Sequence, residues 1–227
     1  MIDYTIIILG GKKMSGLVMA DRLAYRRRMS AFSRYFSYII CVATFLLIPK
    51  GIGLTLVTLL ILPMGAANLP VMIKEIDSGQ AYTRYLLTLP CSRKEIVQSR
   101  FCASFLDGLQ DMALVVLFLV IDALWRHTFT PLGYLQLGLA SLMIGLIYMA
   151  MNLVVSFLGN VTVTSVFYMI SVLAGMAVYI LAVWLDAPVE RLLSLNPLLL
   201  WGGCLTLTVL IVLVCYGISL KLFERRR

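Results

Sequence analysis

Apolar residues along this chain come in long runs, not in the alternating or one-faced patterns of a water-soluble fold. Six runs stand out, approximately Phe32 to Ile48, Ile52 to Ile73, Phe101 to Leu124, Tyr134 to Leu158, Thr164 to Leu185 and Leu198 to Leu220. A bilayer core about 30 Å thick needs about 20 apolar residues per helix, so each run predicts a membrane-spanning helix. The expected fold class is an all-α membrane protein with six transmembrane helices. The joins are too short for a separate soluble domain. Composition agrees: 61% of the 227 residues are hydrophobic and 13% charged, with a mean hydropathy of +0.97, outside the range of soluble domains.

Charge sets the orientation. Of the 19 Lys and Arg, all but Lys50, Arg126 and Arg191 fall in the N-terminal segment, the 74–100 loop and the C-terminus. Basic residues collect at cytoplasmic helix ends, so both termini are expected inside. The net charge of +8 is thereby explained by topology, and no nucleic-acid partner is expected. Ile6 to Leu9 is too short for the apolar core of a cleavable signal peptide. Residues 1–13 read unlike the rest, and Gly10-Gly11-Lys12-Lys13 before Met14 could be encoded by a purine-rich ribosome-binding site. Met14 is therefore an expected alternative start, with 1–13 an extension before it.

The expected organisation is an interfacial helix over 14–31, then a six-helix domain over 32–227 with a cytoplasmic loop at 74–100. At about 100° per residue, Met14, Leu17, Val18, Tyr25, Met29 and Phe32 share one face and Arg26, Arg27, Ser30 and Arg34 the opposite one. Such a helix suits the inner leaflet, although Asp21 interrupts its apolar face. In the second run Pro63, Gly65, Asn68 and Pro70 remove or weaken backbone hydrogen bonds, predicting a kink or break. In the loop, Ser78 is an N-cap candidate for a short helix carrying Tyr82, Tyr85, Leu86 and Leu89, which Pro90 would stop. Ser92-Arg93-Lys94-Glu95 matches a capping box, so the third membrane helix should begin well inside the cytoplasm.

That third helix carries Arg100, Ser104, Asp107, Asp111 and Asp122 on one face of an otherwise apolar segment. Ionisable groups within lipid must face protein or water. The face is read either as a polar wall along a substrate route, with Asp107 and Asp111 near the inner mouth drawing cationic groups, or as internal pairing with Arg34 or Arg100. Asp122 is expected at the solvated outer interface. Stripes of small and polar residues follow on the fourth helix (Ser141, Gly145, Tyr148, Asn152, Ser156, Gly159) and the fifth (Ser165, Tyr168, Ser171, Gly175, Tyr179), a pattern of helix packing. The outer loop Asp186 to Pro197, flanked by Trp184 and Trp201, reads as a segment dipping into the outer leaflet.

Other chemistry finds little support. The five cysteines lack CxxC spacing and four lie in or beside apolar runs, as small hydrophobes. The single histidine, His127, leaves no cluster for zinc or a triad. Asn160-Val161-Thr162 fits a glycosylation pattern on the cytoplasmic side, where it would not be used.

The run Leu86-Leu-Thr-Leu-Pro90-Cys-Ser92-Arg93-Lys-Glu95-Ile-Val97-Gln-Ser-Arg100-Phe resembles the LPxSRxxIVxxK(Y/F) segment after the second helix of small ATP-binding-cassette (ABC) type-2 permeases. Met14-Ser-Gly-Leu-Val-Met-Ala-Asp21 is similar to their opening, with Ala20 and Arg100 where Lys is common. The resemblance implies a bacterial cell-membrane exporter subunit that pairs with itself or a related permease. It also implies docking onto two copies of a separate ATPase that holds ATP and Mg, with no cofactor in this chain. The coupling helix between helices two and three would supply the contact, through Gln80, Tyr82, Arg84, Tyr85 and Leu86. Ser104, Asp107, Asp111 and Asn152 would line the route of an amphipathic or hydrophobic substrate, such as a membrane-active peptide or drug. No G-x-x-x-x-G-K-[ST] phosphate loop is present, in keeping with a subunit that is not itself an enzyme. Two other readings stay open: an ATP-independent transporter or channel using the Asp107/Asp111 face, and an intramembrane protease. The latter would need carboxylates converging from two sides.

Overall fold

The computed structural model describes residues 13–28, 31–48, 51–65, 67–80, 88, 91–184 and 197–225. All elements there are helical: α1 (Lys13–Arg28), α2 (Ala31–Leu47), α3 (Ile52–Leu56), a π-helical turn (Val57–Ile61), α4 (Leu62–Gly65), α5 (Asn68–Gln80), α6 (Arg93–Trp125), α7 (Pro131–Leu158), α8 (Val161–Trp184) and α9 (Pro197–Arg225). Among the described residues five helices are long and apolar enough to cross a membrane: Ile52–Ser78, Arg93–Trp125, Pro131–Leu158, Val161–Trp184 and Trp201–Glu224. The first apolar run forms a shorter apolar helix, Tyr35–Leu47. The sites of Tyr82, Arg84, Tyr85 and Leu86, the outer loop before Pro197, and the extension before Lys13 lie outside the described residues, as do the side chains of Gln80 and Arg34.

The second span breaks where its prolines and glycine predict. Pro63 lacks an N–H and its ring crowds the carbonyl one turn earlier. The chain answers with the π-turn immediately before it, in which the Leu62 N–H bonds to Val57 O, widening the backbone at that point. Thr58 Oγ1 donates to Leu54 O at 2.8 Å across this change of register. After Gly65 the helix stops and restarts at Asn68, so Pro70 falls in a first turn, where a missing N–H costs nothing. From there α5 runs through Ser78 to Gln80. This corrects the expected N-cap: the Ser78 hydroxyl donates back to Glu75 O at 2.8 Å, a bond typical of serine inside a helix.

The capping box at the next helix is present in full. Ser92 N donates to Glu95 Oε2 at 2.7 Å and Glu95 N to Ser92 Oγ at 3.2 Å. The C-terminal end of α6 closes on His127, whose φ of 50° lies in the left-handed region. The N–H groups of Arg126 and His127 both bond to Asp122 O, at 2.8 and 2.9 Å, which satisfies a terminal carbonyl.

Three apolar clusters hold the helices together. One joins α1, α6, α7 and α9 through Leu17, Ile96, Val97, Met149, Leu153, Phe157 and Phe223. A second gathers Cys41, Phe45, Leu54, Val57, Leu62, Val115, Phe118 and Leu119. The third sets Tyr25 of α1 against Leu69, Ile73 and Ala103. α1 thus turns Leu17, Asp21 and Tyr25, all buried, onto α5 and α6. Most apolar side chains of α8 and α9 face outward, as lipid-facing or subunit-facing helices do in a bilayer.

Candidate functional site

The polar face of α6 is the buried one: Arg100, Ser104 and Asp122 are at most 3% exposed, alongside Val97, Gly108 and Val115. At about 1.5 Å per residue counted from Phe101, Asp107 lies about 9 Å and Asp111 about 15 Å along the apolar stretch, so Asp111 is near mid-membrane. Both are half-buried.

Asp111 reaches the break in the second span. Its Oδ2 lies 2.7 Å from where a Cβ on Gly65 would sit, so the glycine is what allows the carboxylate to lie against that backbone. Asp107, Cys41 of α2 and Tyr168 of α8 are close enough to Asp111 to act on it electrostatically. Tyr168 in turn lies near Tyr148 of α7, whose hydroxyl donates to Ser171 O at 2.8 Å. One turn on, the buried Asn152 donates from Nδ2 to Tyr148 O at 2.9 Å. Asp107, Asp111, Tyr168 and Tyr148 therefore share one polar region, whereas the bond of Asn152 is to the backbone of its own helix. Asn152 Oδ1 and Ser104 Oγ are buried without a hydrogen-bond partner among the described residues, and no described contact joins Ser104 to that region.

Arg22 and Arg26 of α1 face this site. With the Gln110 amide oxygen turned toward them, Arg22 Nη2 and Arg26 Nη2 donate to it at 2.9 and 3.2 Å, and both act electrostatically on Asp107. Helical periodicity alone had set Arg26 on an outward face. The Arg100 guanidinium lies 5.4 Å from the centroid of the Phe157 ring. Tyr148 and Tyr168 were legible as members of the two small-and-polar stripes, whereas no local signal marked Arg22 or Gln110.

Asp122 is not solvated. It is fully buried, and its Oδ2 accepts from Tyr134 Oη at 2.8 Å. The same tyrosine oxygen accepts from Phe129 N at 3.2 Å. Arg126 beside it donates to Phe45 O at 2.8 Å and stacks 4.4 Å from that ring. The turn after α6 folds the α7 end over the carboxylate, so this cluster belongs to the closure of the α6–α7 turn. No group of three or more His, Cys, Asp or Glu able to hold a metal occurs among the described residues.

The family model described as ABC-2 family transporter protein matches residues 16–224. Neither the curated proteins nor the solved structures contain a match to the chain.

Proposed function

Because this chain belongs to the ABC-2 family of transporter proteins, a family of multi-pass membrane permeases, we propose that it is the permease subunit of an ABC exporter in a bacterial cell membrane. In this reading it spans the membrane six times with both ends in the cytoplasm, and 14–31 rides at the inner leaflet. The chain pairs with itself or a second permease and docks on two copies of an ATPase that binds ATP and Mg. Gln80, Tyr82, Arg84, Tyr85 and Leu86 form the docking helix. An amphipathic or hydrophobic substrate, a membrane-active peptide or drug, moves outward past Ser104, Asp107, Asp111 and Asn152.

The observation that carries the docking part is the length and capping of α6. Its 33 residues make a helix of about 50 Å, about 20 Å longer than the hydrocarbon it crosses. Its first eight residues carry Arg93, Lys94, Glu95 and Arg100 and open on the Ser92/Glu95 box. A helix that begins this far from lipid gives the preceding loop a rigid stem through which a soluble partner can push on the bundle. Cationic parts of a substrate would meet Asp107 and Asp111, the first of which Arg22 and Arg26 now face.

Expression of the tagged chain with candidate ABC ATPases tests this. An ATPase that co-purifies, cross-links to Tyr82 or Tyr85 and drives ATP-dependent uptake into inverted vesicles is the expected result. Movement of the same substrate with no ATPase bound would instead favour the ATP-independent transporter.

A further inference from the structure

Resting on that ATP-driven reading, we propose that Arg93 and Arg100 form a strut binding the cytoplasmic start of α6 to the cytoplasmic end of α9, so that force on the loop moves the last membrane helix together with the third. Arg93 Nη1 donates to Glu224 O at 2.8 Å and lies 3.5 Å from Phe223 O. Both carbonyls belong to the last turn of α9, where the helix has no amides left to satisfy them and its dipole favours a cation. Arg93 therefore caps a helix 130 residues away in sequence.

Arg100 stands seven residues, about two turns, further along the same face. Its guanidinium covers Phe157 of α7, and Phe157 packs edge-on against Phe223 with ring centroids 5.6 Å apart. Between the two arginines Ile96 and Val97 are wholly buried in the cluster that contains Phe157 and Phe223. Arg93 thus holds the end of α9 directly through its carbonyls, and Arg100 holds it indirectly, through the Phe157 ring that packs on Phe223, with apolar contact filling the gap. Ser92, the cap that ends the loop, is the residue directly before the first grip. Arg93 and Arg100 are positioning residues: they act through α9 and not on the substrate.

Distance measurement between spin labels at Lys94→Cys and Glu224→Cys, in a chain whose five native cysteines are replaced, tests the strut. Both positions are exposed, and the Glu224 change leaves the carbonyl that Arg93 uses. In the complex with its ATPase, the distance is expected to be the same in nucleotide-free and ATP-trapped states. In the Arg93→Gln variant a second, longer distance should appear, its population up about fivefold, and Arg93→Lys should reverse part of this. A distance that changes with nucleotide in the parent chain overturns the strut even if Arg93→Gln fails to fold, as does an Arg93→Gln complex indistinguishable from the parent. If no ATPase associates with the parent, the ATP-driven reading itself falls.

Discussion

Gly175 of α8 sits where three membrane segments meet, and its replacement by alanine should be costly. A Cβ there would press on the Tyr148 hydroxyl of α7, lie 2.6 Å from Met64 Cε of α4 and 3.2 Å from Leu60 Cδ1 of the π-turn. The methionine end is flexible and can swing away. The tyrosine cannot move freely, because its oxygen terminates a rigid ring and donates to Ser171 O at 2.8 Å. Displacing it loses a hydrogen bond, about 1 kcal/mol, and the remaining overlap adds the 1–3 kcal/mol roughly typical of overpacking. The sum, about 2 to 4 kcal/mol, corresponds to a fall of roughly 5 to 15 °C in thermal midpoint for a chain of this size. Gly217→Ala is the control: nothing lies within 4 Å of that site, so only the small gain in helix propensity applies, below about 1 kcal/mol. The double variant Gly175→Ala/Tyr148→Phe removes the colliding oxygen and should recover more than half of the loss, a coupling a double-mutant cycle reads directly. Thermal unfolding of purified protein in detergent supplies the data. Equal midpoints for the two alanine variants, or no recovery in the double variant, would refute the packing argument.

Ser92→Ala removes the cap of α6 and should destabilise its first turn by about 1 kcal/mol, seen as faster amide exchange at residues 93–96 with little change in the global midpoint. Tyr134→Phe strips the buried Asp122 of its donor and should cost about 1 to 3 kcal/mol, whereas an exposed control such as Tyr35→Phe should cost nothing measurable in the same melt. Asp107→Asn combined with Asp111→Asn should raise the apparent KM for a cationic amphipathic peptide about tenfold, near 1.4 kcal/mol, while ATPase co-purification is unchanged. Uptake assays in which the variant handles the peptide as well as the parent would remove the acidic residues from the route.

Much of the architecture was legible because membrane helices carry their signal locally. Run length, the Ser92/Glu95 box and the Pro63–Pro70 punctuation each report on a few neighbouring residues, and the structure places a helix, a cap and a break there. The stripe on the fourth helix was legible for the same reason, since Ser141, Asn152 and Ser156 are buried, whereas Ser165, Tyr168, Ser171, Gly175 and Tyr179 on the fifth are half-buried. What escaped depended on contacts distant in sequence. Depth along α6 alone predicts a solvated Asp122, yet the turn at His127 folds Tyr134 onto it. Ser78 has the chemistry of a cap, but whether a serine starts a helix or sits within one is decided by the segment before it, and α5 continued. Arg22 and Arg26 meet Gln110 only because α1 folds back onto α6, a choice that a basic amphipathic pattern leaves open.

The wide turn at Val57–Ile61 has a geometric consequence for the second span. One extra residue within a helix advances every later side chain by about 100° around the axis, so the halves above and below it are out of phase. Removing one residue from this turn would restore a continuous spiral and carry Gly65 about a quarter of a revolution away from Asp111. The added residue is therefore a built-in offset that lets one span offer one side to its neighbours before the turn and a different side to Asp111 beyond it.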